Sequence, residues 1–214
     1  MNNHMEIIIL VCRNILIIKP LNMDLDKIRN IIKGIRKYYP VPDKSINTLA
    51  NLLTEKYLPK HTLLSKASIK DNSVYFIEQG CSRTFFLVEG KEVTNWFSKE
   101  GDIVFSSDSL YHRKAGLDYV ELLENSKIFS MDINSLDLLY KTDINIANWS
   151  RIIHQEVLVR MQNLRIDRLT LTSKQRYDKF VKENPDLINR VNLGYIASFL
   201  GMTQQHLSLV RAED

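Results

Sequence analysis

Apolar positions along this chain change their period several times. Residues 5–18, MEIIILVCRNILII, form an apolar run broken at its centre by Arg13 and Asn14. A membrane-spanning helix needs about 20 predominantly apolar residues, so the run predicts no anchor. It also lacks the basic leader and small-residue cleavage site of a secretory signal. From Met23 the pattern turns helical. Leu25, Ile28, Ile31, Ile32 and Ile35 share a face over roughly 24–37, and Ile46, Leu49, Leu52 and Leu53 share one over roughly 43–54, with Pro40 and Pro42 as breakers between them. Residues 1–22 are expected to be a non-native or disordered extension, with the functional protein starting at or near Met23.

From about 57 to 133 the period shortens toward two, and β-branched and aromatic residues crowd into short runs: VYFIEQG, SRTFFLVEG, EVTNWFSKEG, DIVFSS, YVELLE and KIFSMD. Gly80, Gly90 and Gly101 recur at the spacing of turns in a sandwich or barrel of short strands. Glu89-Gly90-Lys91 reads as a tight hairpin turn. The middle third is therefore an antiparallel β-domain.

Helical spacing returns after about 134. Ile146, Trp149, Ile153, Val157, Met161 and Leu164 predict one long helix over about 144–169 with an apolar seam. The seam either packs on the chain's own β-domain or pairs with a second copy. Arg151, Gln155, Gln162, Arg165 and Arg168 flank it as polar shoulders do in coiled coils, so Trp149, Ile153, Val157, Met161 and Leu164 are assigned to dimerisation.

A further helix over about 173–183, closed by Asn184-Pro185, precedes LGYIASFLGMTQQHLSLVRA at 193–212. These twenty residues fit the helix-turn-helix pattern. Ala197 is small where the second helix crosses, Gly201 makes the turn, Asn192 and Thr203 stand at the N-caps, and Ile196, Leu200, Met202, Leu207 and Val210 face inward. In such a motif the second helix enters the major groove. Thr203, Gln204, Gln205, His206, Ser208 and Arg211 are thus the candidate DNA-contacting residues. Glutamine can bond bidentately to adenine, and arginine can take a phosphate or guanine.

The net charge of +4 on 214 residues allows a nucleic-acid partner without choosing one. Its distribution is more telling. Residues 61–144 carry nine basic and thirteen acidic side chains, whereas 145–214 carry ten basic and seven acidic. A polyanion prefers the end that holds the motif. Two cysteines, Cys12 and Cys81, cannot make a disulfide framework or a four-thiolate cluster, which points to a reducing cytoplasm.

Catalytic chemistry finds no constellation. The five histidines are scattered without an H-x-H or H-E-x-x-H pair, and no G-x-S-x-G elbow, P-loop or G-x-G-x-x-G occurs. Cys81 follows a glycine at a strand end without a histidine partner and reads as a buried structural thiol. No enzyme, metal site or cofactor is expected.

The order of parts resembles the Crp/Fnr family of bacterial transcription regulators over about residues 40–212. The resemblance is carried by Val74–Gly80, Glu89–Phe97 (EGKEVTNWF) and Tyr195–Thr203. It implies an α+β fold: an N-terminal double-stranded β-helix (a β-roll or jelly roll), a long dimerisation helix and a C-terminal helix-turn-helix domain of winged-helix type. The domains implied are a cyclic-nucleotide-binding-like β-roll with flanking helices at 23–143, a dimerisation helix at 144–169 and a DNA-binding domain at 170–214. The implied partners are double-stranded DNA, a second copy of the chain, a small-molecule effector and RNA polymerase, with no membrane.

Departures from the family pattern qualify this picture. Cyclic-nucleotide-binding members carry a cassette whose Glu holds the ribose and whose Arg pairs with the phosphate. Here Ser106 stands in place of that Glu and Gly116 in place of the Arg, so cyclic AMP is not the expected effector. Ser106, Ser107, Arg113 and Lys114 remain the candidate effector pocket. In the expected reading helix Leu209 occupies a place where relatives often carry Arg, and Glu213 and Asp214 add negative charge. The alternative reading is a ligand- or protein-binding β-roll sensor with a degenerate DNA-binding end.

Overall fold

The computed structural model describes residues 7–12, 15–20 and 23–212. Strands β1 (Ile7–Cys12) and β2 (Ile15–Pro20) pair as an antiparallel hairpin, an element the apolar run did not predict. The remaining residues of the expected extension lie outside the described ones. A 3₁₀ turn at Leu25–Ile28 leads into α1 (Arg29–Tyr38), followed by α2 (Asp43–Ala50).

The β-region starts slightly earlier than its periodicity suggested. Its strands are β3 (Thr54–Leu58), β4 (Leu63–Ser65), β5 (Ser73–Gln79), β6 (Ser82–Val88), β7 (Lys91–Ser98), β8 (Ile103–Val104), β9 (Tyr119–Leu122) and β10 (Ser126–Asp132). They form two antiparallel four-stranded sheets, ordered β3-β10-β5-β8 and β4-β9-β6-β7. The β6–β7 hairpin pairs Val88 with Lys91 across Glu89 and Gly90, both at positive φ as the tightest hairpin turns require.

Three apolar clusters explain the pattern. Strand β5 reads as an unbroken apolar run because both its faces are covered. Tyr75 and Ile77 point between the sheets onto Val120, Leu122 and Ile128, while Val74 and Phe76 point outward under α1 and α2. Helix α3 (Ile133–Thr142) and the start of α4 (Ile144–Thr170) complete that outer layer. On the far side, Phe97, Cys81 and Leu123 share a cluster with α5 (Ser173–Glu183), α6 (Leu193–Phe199) and α7 (Gln204–Ala212).

Local chemistry fixes the helix ends. Asp132 and Asp143 cap α3 and α4, and Thr172 with Gln175 forms a capping box on α5. Helix α1 has no side-chain cap of its own; Glu78 from β5 accepts the N–H groups of Asn30 and Ile31 at 3.1–3.2 Å instead. The same helix crosses the β7–β8 turn with almost no gap. A Cβ on Gly34 would fall 2.0 Å from the Gly101 carbonyl oxygen.

Candidate nucleic-acid interface and effector cleft

Helices α6 and α7 are joined by a turn at Gly201, which has φ 72°. Asn192 accepts the Gly194 N–H at 2.7 Å, and Thr203 accepts the His206 N–H at 3.2 Å, so both expected caps form. Ile196, Ala197, Leu200, Leu207 and Val210 are buried, and Met202 is half-buried. Thr203, Gln204, Gln205, His206, Ser208 and Arg211 are all exposed on one element. They are not equally available. The Ser208 hydroxyl donates to the Gln204 carbonyl at 3.0 Å, and the Gln204 carboxamide lies over Gly194. Gln205, His206 and Arg211 therefore project with the fewest local engagements. Leu209 is 66% exposed beside them. Glu213 and Asp214 lie outside the described residues.

The carbonyls that α6 leaves unpaired at its C-terminus are taken by arginines from elsewhere. Arg168 of α4 donates to the Phe199 carbonyl at 2.8 Å and Arg176 of α5 to the Leu200 carbonyl at 3.1 Å, a favourable site for cations. Arg168 thus serves α6 rather than the seam.

These helices rest on the outer face of the β6–β7 sheet. Phe97, Phe180 and Phe199 meet with ring centroids 5.3–6.2 Å apart. Arg83, 2% exposed, lies between Phe85 and Tyr195 and pairs with Glu121 and Glu92. The Thr94 N–H donates to the Ser198 hydroxyl at 2.9 Å, which donates on to the Glu92 carbonyl. Arg190 joins Glu100 at 2.8 Å and Glu124, and Lys99 joins Asp186 at 2.7 Å. Burial raises the pKa values of Glu100 and Asp186, but hydrogen bonds from Arg190 and the Gly80 N–H to Glu100, and from Lys99 to Asp186, outweigh it and hold both carboxyls below their usual range. Cys81, fully buried beneath this contact, has its thiol pushed up by burial to about 12, which suits a structural thiol.

The expected effector residues do not converge. Arg113 turns to Asp137, and Lys114 lies 3.3 Å from Asp108. Ser106 is buried and donates to Asp118 Oδ1 at 2.9 Å. A Cβ on Gly116 would sit 2.5 Å from that same oxygen. Of the four, only Ser107 lines the large cleft of about 750 Å³ between the inner face of β6–β7, the 102–111 segment and α4. Polar local partners engage residues that the family resemblance had assigned to a pocket. The cleft's aromatic walls, which include Phe86, Trp96 and Tyr111, were missed because each reads in sequence as an ordinary strand or loop residue.

The seam also needs correction. Trp149 is 2% exposed in the chain's own core, stacked 6.4 Å from Phe76, and Ile153 packs against the same cluster. Leu164 packs on the C-terminal cluster, and half-buried Val157 lines the cleft. Most of the expected seam is therefore the face α4 turns to its own chain. The large apolar side chains α4 leaves exposed are Ile144, Leu158, Val159, Met161, Ile166 and Leu169, and of these only Met161 was in the predicted set.

No family model and no curated protein sequence matches the chain. Solved structures do. The c-di-GMP responsive global regulator CLP of Xanthomonas campestris is 11% identical with a TM-score of 0.67, the match covering 80% of this chain and 91% of that one. FixK2 of Bradyrhizobium japonicum is 17% identical with a TM-score of 0.64, covering 75% and 83%. A protein of Eubacterium rectale assigned to the Crp/Fnr family of transcriptional regulators is 14% identical with a TM-score of 0.64, covering 83% and 87%. Among the described residues no helix is long and apolar enough to cross a membrane. With its two antiparallel sheets, long helix and flanking helices, the chain has the fold of the Crp/Fnr-family regulators.

Proposed function

We propose that the chain is a DNA-binding transcription regulator of the Crp/Fnr type, a homodimer that reads a palindromic operator with α7 as the second helix of its helix-turn-helix. The observation that carries this is the division of α7 into two faces. Leu207 and Val210 are buried, while Gln205, His206 and Arg211 are exposed beside a capped N-terminus. That is the presentation base-edge readout needs. The positive excess over 145–214 supports it. In this reading, the exposed apolar stripe of α4 joins the two copies, the cleft admits an effector other than cyclic AMP, and RNA polymerase is a partner at the promoter.

Exposed Leu209 favours the other reading, a β-roll sensor whose terminal motif no longer binds DNA well. Selection from random duplexes decides between them. The regulator reading expects a palindrome whose half-sites lie about one helical turn apart, with log affinity falling as log salt rises. Weak, sequence-indifferent binding at low salt overturns it.

A further inference from the structure

Gly201 is the point at which α6 hands over to α7, and nothing at the residue itself fixes a direction. It has no side chain, and open space surrounds the place where a Cβ would stand. Leu207 and Val210 seat α7 on its neighbours, but apolar contacts are not directional. The heading of α7 is left to the peptide groups that lead into the turn.

Two of those peptide groups are held from outside the motif. Arg168, in the last turn of α4, donates to the Phe199 carbonyl at 2.8 Å. Arg176, near the start of α5, donates through Nε to the Leu200 carbonyl at 3.1 Å and through Nη1 to the Leu171 carbonyl at 2.8 Å. A peptide unit is planar, so a held carbonyl oxygen fixes the plane from which the next residue's φ turns. The Leu200 carbonyl shares its plane with the Gly201 nitrogen. Leu171, with Thr172, is the link between α4 and α5, and Asp167 and Lys179 pair across that link at 2.6 Å.

We propose that Arg168 and Arg176 are positioning residues for DNA reading: they refer the heading of α7 to the end of α4, and so set the half-site spacing that the dimer accepts. In a two-fold dimer a swivel of α7 in one copy is repeated in the other, which changes the separation of the two reading helices. One added base pair turns the half-sites by about 35°, so a modest swivel changes which spacing fits. The inference rests on the regulator reading for this consequence at DNA, and on the hydrogen bonds alone for the pinned turn.

Stability separates this role from a merely structural one. Arg168 is exposed, and a cation at an exposed helix C-terminus contributes little to folding. Duplex selection and binding are run on the full-length chain, Arg168→Ala, Arg168→Lys and Arg176→Lys. Arg168→Ala is expected to unfold within about 3 °C of the parent. It keeps the half-site sequence and the affinity for a single half-site, but loses about tenfold on the palindrome as the accepted spacing widens by about one base pair. Arg168→Lys retains a donor for its one carbonyl and is expected to restore the narrow spacing. Arg176→Lys is expected to widen it, because separate nitrogens of a rigid fork hold Leu171 and Leu200. An equal loss on single half-sites makes Arg168 a phosphate contact, a much larger fall in unfolding temperature makes it structural, and unchanged spacing leaves the turn pinned by packing. Each of these results overturns the proposal.

A second readout needs no DNA. Spin labels at Lys141→Cys on α3 and Leu209→Cys on α7, both exposed positions, report the heading directly in a Cys12→Ser chain diluted with unlabelled chain, since Cys81 is buried. Arg168→Ala is expected to broaden the distance distribution. Broadening in a protein that selects no operator sinks only the regulator reading, and operator selection with an unchanged distribution sinks only this inference.

Discussion

Arg83 of β6 and Tyr195 of α6 are stacked, with the guanidinium carbon 3.6 Å from the ring centroid. Phe85 covers the other face of the guanidinium at 4.2 Å. Glu121, itself 7% exposed, pairs through one oxygen with this arginine and through the other with His61 Nδ1 at 2.7 Å. Arg83→Leu leaves that buried carboxylate only its His61 partner and is expected to cost about 2–4 kcal/mol. Tyr195→Leu removes only the stacked ring and is expected to cost about 1–2 kcal/mol. Urea unfolding of the two variants checks the order, and equal losses would reject the assignment of the cost to Glu121.

Acid should loosen the C-terminal helices before the sheets. Glu100 and Asp186 have folded pKa values held below their unfolded ones, so their contribution is present above the ordinary carboxylate range of about 4 and is lost as pH falls through the depressed folded values. Hydrogen exchange at falling pH should show α5–α7 losing protection first. Glu100→Gln should flatten that dependence. An unchanged profile in the variant would place the acid sensitivity elsewhere.

Dimer formation should follow the corrected face of α4. Leu158→Asp or Leu169→Asp puts charge on the exposed stripe and is expected to give folded monomers in sedimentation. Ile153→Asp, packed against the core, is expected to unfold the chain instead. A folded, monomeric Ile153→Asp would restore the seam read from spacing.

Gly201 isolates backbone strain. Open space surrounds its missing Cβ, so a substitution there meets only the cost of φ 72°. Gly201→Val is expected to cost about 1–2 kcal/mol and Gly201→Asn distinctly less, because asparagine tolerates the left-handed region. Thermal unfolding of both checks this, and equal losses would point to packing rather than conformation.

What could be read in advance was whatever depends on local chain chemistry. The Glu89-Gly90 turn, the Asn192 and Thr203 caps, the Asn184-Pro185 stop and the bounds of α4 each follow from a few adjacent residues. Periodicity locates an apolar face without saying what covers it. Trp149 and Ile153 have the right spacing for a seam, yet Phe76, more than 70 positions earlier, has already claimed Trp149. The candidate pocket failed for a related reason. Arg113 and Lys114 are near Ser106 in sequence, but Arg113 pairs with Asp137 and Lys114 with Asp108, and neither side chain lines the cleft. Arg83 gave no warning at all, since nothing local distinguishes a buried arginine in a strand from an exposed one.

Strands β6 and β7 place Thr84 and Trp96 on the cleft and their neighbours Arg83 and Phe97 under the C-terminal helices. A wall one polypeptide thick therefore separates the cleft from the C-terminal helices. In a pleated strand adjacent side chains face opposite ways from one backbone, so a backbone shift at Trp96 on the cleft side is carried to Phe97 beneath α5 and α6.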